Sequence, residues 1–438
     1  MKENQQLATH MVQTRRPLYV MRIVLLVLLA IVLTAGSTFG FGWMRYQGNI
    51  KRSDVSNLVP SAAATPVDSL AGQALNILVL GSDTRAGASN IDGVGEEGGM
   101  RADTTMIVHI SADRQRVEVV SIPRDTLVDI PPCTVRTSPN GQETRTMRKQ
   151  YNAMFNSAFS LGGTYGDIPS AAACSMNTLH ELTGLTFHGY VVVDFASFVS
   201  TVDALGGIPI YIQERMKDKY AGLDLEPGCR LLHGQSALAF ARARKQLGDG
   251  SDVSRITRQH KLVSAVFNEA LKTNMLTNIP TLMRFLDAAT QSLQTSKEIG
   301  NISNIVGLAN SLSHLNINSV KFWTMPYDPA DNRVTPNKTA KYMWEALIKD
   351  LPINAEKHGG NGNVRAMPPV EAQQAPSAAP SQGAQPQPAQ PEQGNAPSGA
   401  TQAHPAPQNS ASSSETPQPT QTETLSPEEL NCTRANAK

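Results

Sequence analysis

From Ala366 to Ser426 the chain is Pro, Gln, Ala, Ser, Gly and Thr with almost no large apolar residue ("QQAPSAAPSQGAQPQPAQPEQG"), and this stretch limits what the rest can fold into. Such a segment cannot bury enough apolar surface to offset the entropy of ordering it. Residues 356–438 are therefore expected to form a disordered tail. Of 438 residues, 72–355 remain as the foldable region, enough for one large α/β domain.

The other boundary is an apolar run, "LYVMRIVLLVLLAIVLTAGSTFGFGW", densest from Ile23 to Ala35 and continuing to Trp43. Signal-peptide cores are usually ~7–15 residues and a spanning helix needs about 20, so the dense part fits either. Tyr19 and Trp43 stand at the two ends, where interfacial aromatics belong, and no A-x-A cleavage site follows. An uncleaved transmembrane helix over 19–43 is the favoured reading. Lys2, Arg15, Arg16 and Arg22 precede it and Arg45, Lys51 and Arg52 follow. That weak positive-inside bias puts residues 1–18 in the cytoplasm and the body outside. Residues 44–71, with Ser, Ala and Pro, read as an extracytoplasmic stalk.

The four cysteines agree with an exported body. Cys133, Cys174, Cys229 and Cys432 show no zinc-type spacing, and an even set outside the cytoplasm points to disulfides. Three connectivities exist. Cys133 and Cys174 share one insert between strands and are the favoured pair, which leaves Cys229 for Cys432.

"LNILVLG", "TTMIVHI" and "VEVVSIP" are apolar, β-branched runs of strand length. Helices are expected over Asn152–Phe159 and Pro169–Leu182. "TFHGYVVVDF" reads as a strand entering the helix "FASFVSTVDAL", and "GGIPIYI" as another strand. Helices then dominate to about Leu315, before the strand "SVKFWTM" and the helix "TAKYMWEALI". This interleaving predicts an α/β fold: a three-layer α/β/α domain with a central mixed β-sheet.

The chemistry gathers at strand ends. The first strand runs into "GSDTR", with Asp83 and Arg85 just past its end. The second begins at "GMRADTT", with Arg101 and Asp103 just before it. Antiparallel pairing would set Asp83 beside Asp103 at one sheet edge. The third strand ends in "IPRD", and a meander would bring Arg124 and Asp125 to that edge. Two carboxylates form a hard oxygen site suited to Mg²⁺ or Mn²⁺. Arginines beside such a metal are how phosphoryl oxygens are bound, because each guanidinium offers planar, bidentate donors and keeps its charge.

A chain of formal net charge +1 also concentrates cations in "RARKQLGDGSDVSRITRQHK", residues 242–261. From Asp252 the apolar spacing is helical, with Ile256, Leu262, Val263, Val266, Phe267 and Ala270 on one arc. At about 100° per residue, Arg255 and Gln259 fall inside that arc and Arg258 at its edge. A solvated face would put them opposite. They are expected in a cleft near a helix N-terminus, which favours an anion. "FARAR", if extended, sends Arg242 and Arg244 to one side. Neutrality overall, few aromatics and an external body argue against nucleic acid as a partner. No G-x-S-x-G elbow supports a serine hydrolase, and His109, His188, His233 and His260 read as structural.

"LVLGSDTR", "GMRADTTMIVHI", "VVSIPRDT", "LGGIPI", "LHGQSALAFARARK" and "GDGSDVSRITRQHK", in this order over roughly residues 75–270, resemble the LytR-CpsA-Psr family of cell-wall phosphotransferases. The resemblance implies a bacterial, single-pass enzyme of the cytoplasmic membrane. It would move a glycopolymer from a polyprenyl-pyrophosphate-linked glycan onto a peptidoglycan acceptor, releasing polyprenyl phosphate. It implies that Asp83 and Asp103 hold Mg²⁺, with Mn²⁺ as a substitute. Arg85, Arg101, Arg124, Arg242, Arg244, Arg255, Arg258 and Gln259 would line the phosphates, with Asp103, Arg124 and Arg101 closest to the chemistry. Two competing readings use the same residues, a lipid pyrophosphatase and a protein-glycosylating transferase; a third is a non-catalytic wall-binding or regulatory module with the Pro-rich tail as its interaction arm.

Overall fold

The computed structural model describes residues 51–60, 72–82, 100–139, 141–243, 252–272, 293–312, 315, 319–358, 363–366 and 431–438. The expected transmembrane helix and most of the tail lie outside these residues. Among them, no helix is long and apolar enough to cross a membrane.

The centre is a mixed sheet. Its middle is a meander of β2 (Leu75–Ser82), β3 (Ala102–Ile110) and β4 (Val117–Ser121), all antiparallel neighbours. β9 (Gly189–Asp194) flanks β2 in parallel, and β15 (Val320–Thr324) flanks β4 in parallel. Beyond β9 come β14 (Gln294–Ser296) and β1 (Lys51–Ser53). The carboxyl ends of β2, β4, β9 and β15 and the start of β3 therefore share one edge.

Both faces of the meander strands are apolar and covered, as expected of a sheet between helical layers. Leu78, Leu80, Ile107 and Val120 point to one core, which contains α1 (Asn156–Gly162), α2 (Ile168–Thr183) and α7 (Ala340–Ile348). Leu75, Ile77, Met106, Val117 and Val119 point to the other, against Phe267 of α5 (Asp252–Lys272) and Leu308 of α6 (Ile302–Ser311). The alternation follows from the period of two along each strand. Local chemistry fixes the helix ends. Asp167 accepts from the Ser170 N–H at the start of α2 (3.0 Å), and Gly184 closes it with φ 71°, a conformation glycine adopts without strain.

A second core lies to the side. It joins α3 (Phe195–Ala204), α4 (Gly234–Arg242) and part of α5 to the paired strands β10 (Ile208–Ile212) and β13 (Gly228–Leu232). Between those strands, β11 (Met216–Asp218) and β12 (Leu223–Leu225) form a small hairpin. Two short pairs, β5 (Leu127–Ile130) with β8 (Gln150–Met154) and β6 (Cys133–Arg136) with β7 (Thr144–Met147), form an arm after β4. The hairpin of β16 (Tyr327–Ala330) and β17 (Arg333–Pro336) follows β15. β18 (Ala355–His358) pairs with β19 (Asn363–Ala366) beyond α7.

Four segments differ from the sequence expectation. The helix expected over Asn152–Phe159 begins only at Asn156; Asn152 takes φ 49° and donates its N–H to Asp129 (3.1 Å) within the irregularly paired strand β8. Residues 51–59, read as stalk, enter the fold: β1 joins the sheet, and Val55, Leu58 and Val59 are buried in its core. β14 interrupts the region expected to be helical, because a three-residue edge strand carries no periodicity to read. The last eight residues do not behave as tail. Cys432 is bonded to Cys229, the Lys438 N–H and C=O pair with Cys229 and Leu231, and Arg434 donates to Leu205 and Gly207 carbonyls and faces Glu269. Cys133 is bonded to Cys174, clasping β6 to α2.

Candidate active site at the sheet edge

β2 and β3 pair residue for residue until Gly81 meets Thr104; the next pair is Ser82 with Ala102. Asp103 is the extra residue of a β-bulge. Bulges kink a strand and re-aim a side chain, and this one turns the Asp103 carboxylate toward the loop after β4. There Arg124 donates from Nη1 to Asp103 Oδ1 at 2.5 Å. Both side chains are partly exposed (24% for Arg124, 32% for Asp103), so the pair meets solvent rather than closing a core. The meander brings them together, since β4 runs in the direction of β2.

α5 crosses the sheet face at the same edge. Arg255 is 4% exposed and donates from Nη2 to the Asp103 carbonyl (2.9 Å). Arg258, 9% exposed, donates to the Ala243 carbonyl after α4, and Gln259 is half-buried beside it. The helical phase had put these three on the inward side; Val263, assigned to the same arc, is exposed. His260 seats the helix: its Nε2 is 2.7 Å from Ser121 Oγ at the end of β4, and its ring packs at a tilt against Phe322, 5.3 Å between centroids. Burial lowers the His260 pKa to about 4, so the ring is neutral at physiological pH. Sequence patterns gave no sign of this contact, because Ser121 and His260 meet only once α5 is laid on the sheet.

"FARAR" is not extended. Its first part ends α4, so Arg242 occupies a last helical turn and lies over the Phe195 ring, 4.8 Å from its centroid. Arg101 is exposed immediately before β3. Asp83, Arg85 and Arg244 lie outside the described residues. Among the described residues, no cluster of three or more His, Cys, Asp or Glu is present to hold a metal by protein ligands alone. Mg²⁺ does not demand one: it commonly takes one or two carboxylates and completes its shell with water and substrate phosphate. Asp103, a partly exposed hard-oxygen donor, fits that use.

The edge thus concentrates fixed positive charge around one carboxylate, an arrangement for holding an anion rather than for nucleophilic catalysis by a side chain. The model of the LytR_cpsA_psr family matches residues 45–355, well over half of the sequence. The chain belongs to the LytR-CpsA-Psr family. Among relatives, a probable cell wall biosynthesis protein, LcpB of Corynebacterium glutamicum, is 32% identical over 228 residues, 51% of this chain and 48% of the relative. A polyisoprenyl-teichoic acid–peptidoglycan teichoic acid transferase, TagU of Oceanobacillus iheyensis, is 29% identical over 282 residues, 64% of this chain and 73% of the relative. The matches span about half the length of the first curated relatives. Among solved structures, a LytR-Csp2A-Psr enzyme from Actinomyces oris aligns with a TM-score of 0.46 at 21% identity, over 68% of this chain and 96% of that one.

Proposed function

We propose that this LytR-CpsA-Psr protein is a membrane-anchored phosphotransferase that moves a glycopolymer from a polyprenyl-pyrophosphate carrier to peptidoglycan. The observation that carries this reading is the Asp103–Arg124 contact at the bulge, with Arg255 bound to the same residue's carbonyl. Relatives named as teichoic acid transferases support the substrate class.

In the reaction, an acceptor sugar hydroxyl attacks the phosphorus that bears the glycan. The bond from that phosphorus to the bridging oxygen breaks, polyprenyl phosphate leaves, and the hydroxyl proton passes to solvent. Little covalent work falls to the protein; positioning and charge stabilisation dominate phosphoryl transfer. Arg124, Arg255 and Arg258 take the non-bridging oxygens, aided by Gln259 and by Arg101 and Arg242 at the rim; Arg85 and Arg244 belong to the same set. Asp103, with Asp83 next to Ser82 in the chain, would hold Mg²⁺ or Mn²⁺, which supplies further neutralisation of the pyrophosphate. Asp103 also fixes the Arg124 fork before substrate arrives, so less ordering remains to be done on binding.

The test is turnover. Full-length protein given a polyprenyl-pyrophosphate sugar and Mg²⁺ should release polyprenyl phosphate, and release should depend on added peptidoglycan. Release insensitive to acceptor would make the protein a lipid pyrophosphatase. Lipid binding without release would leave a wall-binding or regulatory module. Arg255→Ala should weaken pyrophosphate binding about tenfold or more, since it removes a cation held in a buried position; unchanged affinity would remove Arg255 from the site.

A further inference from the structure

We infer that the arm formed by β5–β8 is a docking surface for the carboxylate-bearing acceptor strand of the wall, a role that rests on the transferase reading. Residues 127–154 leave the sheet edge directly after Arg124 and return to it: the Phe155 N–H donates to the Thr126 carbonyl (2.8 Å) and the Asn156 N–H to the Arg124 carbonyl (3.0 Å). The arm is therefore rooted on the backbone of the arginine that faces Asp103. It is also held rigid. The Cys133–Cys174 disulfide ties it to α2, and the Arg136 N–H donates to Ser170 Oγ (3.0 Å).

Its outer surface is cationic. Between Leu127 and Met154 stand Arg136, Arg145, Arg148 and Lys149 against two carboxylates, Asp129 and Glu143, in a chain whose whole formal charge is +1. Arg136 turns inward to Asp167, but Arg145, Arg148, Lys149 and Tyr151 are all exposed. Lys149 reaches Asp129 (3.2 Å) and lies over the Tyr151 ring, 4.5 Å from its centroid. Tyr151 is 72% exposed, and the face away from Lys149 can pack against a sugar ring. Cations on β7 and in the connection that follows it, beside an open aromatic face on β8, suit an extended anionic glycan. An anionic membrane is the weaker match, because Tyr151 is the arm's only large exposed apolar residue among those described, and nothing aliphatic stands ready to insert.

The arm belongs to the sheet face that carries α1 and α2, whereas Arg255 and Arg258 approach from the opposite face on α5. A donor pyrophosphate gripped by α5 and an acceptor laid along the arm would meet at Arg124 from two sides. That geometry commits the arm to the acceptor rather than to the donor glycan.

The experiment is co-sedimentation of the full-length protein, in detergent, with peptidoglycan sacculi stripped of attached polymers. The Arg145→Glu/Arg148→Glu double variant and Tyr151→Ala are compared with the parent, using native sacculi and sacculi with amidated carboxylates. We expect binding about tenfold weaker for the double variant and for amidated sacculi, a smaller loss for Tyr151→Ala, and unchanged binding of polyprenyl-pyrophosphate sugar. The positions are exposed, so the variants should keep both disulfides and the parent Tm; should the double variant misfold, Arg148→Gln alone must still weaken binding. Equal binding by variant and parent, indifference to amidation, failure of the parent to bind, or a stronger preference for phosphatidylglycerol vesicles would each overturn the proposal. Turnover assayed in the same preparations separates the two readings. Wall binding without turnover sinks the transferase and spares the arm, and turnover with an indifferent arm does the reverse.

Discussion

The two ends of the central sheet each hold an arginine–aspartate set, and they do different things. At the carboxyl-end edge, Arg124 and Asp103 meet at a bulge, both partly exposed. At the opposite end, Asn76, His109 and Glu118 stand in one row across β2, β3 and β4, by direct register. His109 and Glu118 are fully buried there. His109 joins Asn76 Oδ1 (2.7 Å) to Asp350 Oδ1 (3.0 Å), and Arg116 donates to the same Asp350 oxygen (2.8 Å). The Trp323 indole and the Ile353 N–H donate to Glu118. This second set is closed: its groups bond across β4, β15 and the segment after α7, and little is left to offer a ligand. The lesson is that residue type does not separate a site from a clasp. Access does.

Removing the cation of each set should therefore break different properties. Arg124→Ala should lower turnover by at least about 10²-fold, the usual cost of losing one charge-stabilising donor, with the Tm within a degree or two of the parent. A variant that keeps the parent rate would return Arg124 to the class of structural arginines. Asp350→Ala should do the reverse. It leaves His109, Arg116 and the Ala112 N–H without their shared acceptor, and a cost of about 2–3 kcal/mol is expected in urea unfolding. Turnover should survive at temperatures where the variant is folded. Loss of turnover in folded Asp350→Ala would show that the two ends are coupled through β3 and β4.

The sequence carried one end better than the other. The meander was legible because three strand-length apolar runs are joined so that direction follows from order. From it came the nearness of Asp103 and Arg124, and the phase of α5 gave the inward turn of Arg255 and Arg258. What was hidden depended on long-range contact. Asn76, His109 and Glu118 share a row only in the paired register, and Asp350, which His109 meets, is 241 residues further along the chain. The bulge at Asp103 leaves no local mark, since "GMRADTT" would read the same without it. The same limit explains β1, where the polar trio "KRS" borrows its strand partner from β14. The C-terminal octet was legible in part: the cysteine count paired Cys432 with Cys229, whereas the Arg434–Glu269 contact left no mark in the sequence.

The smallest expected effect concerns the sign of a pH dependence at the closed end. Burial pushes the Glu118 carboxyl above its ordinary value, although the Trp323 and Ile353 hydrogen bonds and the nearby Lys321 and Arg116 work the other way. A carboxyl raised in the folded state binds more protons folded than unfolded at pH values between its two pKa values. Its contribution is then whole below the unfolded value near 4.5 and declines as pH rises through the folded one. Glu118→Gln removes that titration while keeping an oxygen that can accept from Trp323 or Ile353. The variant should be less stable than the parent at pH 4, by about 1 kcal/mol for the acceptor it loses, and the gap should narrow as pH rises toward 8. Asp350 titrates in the opposite sense. Burial raises it, but His109, the Ala112 N–H and Arg116 together bring it below the ordinary carboxylate range, so its contribution is lost as the solution becomes acidic. Urea midpoints of Glu118→Gln across pH 4–8 separate the two: a gap that widens with rising pH would mean Glu118 is ionised and paired with Arg116, a second ion pair beside the Arg116–Asp350 one.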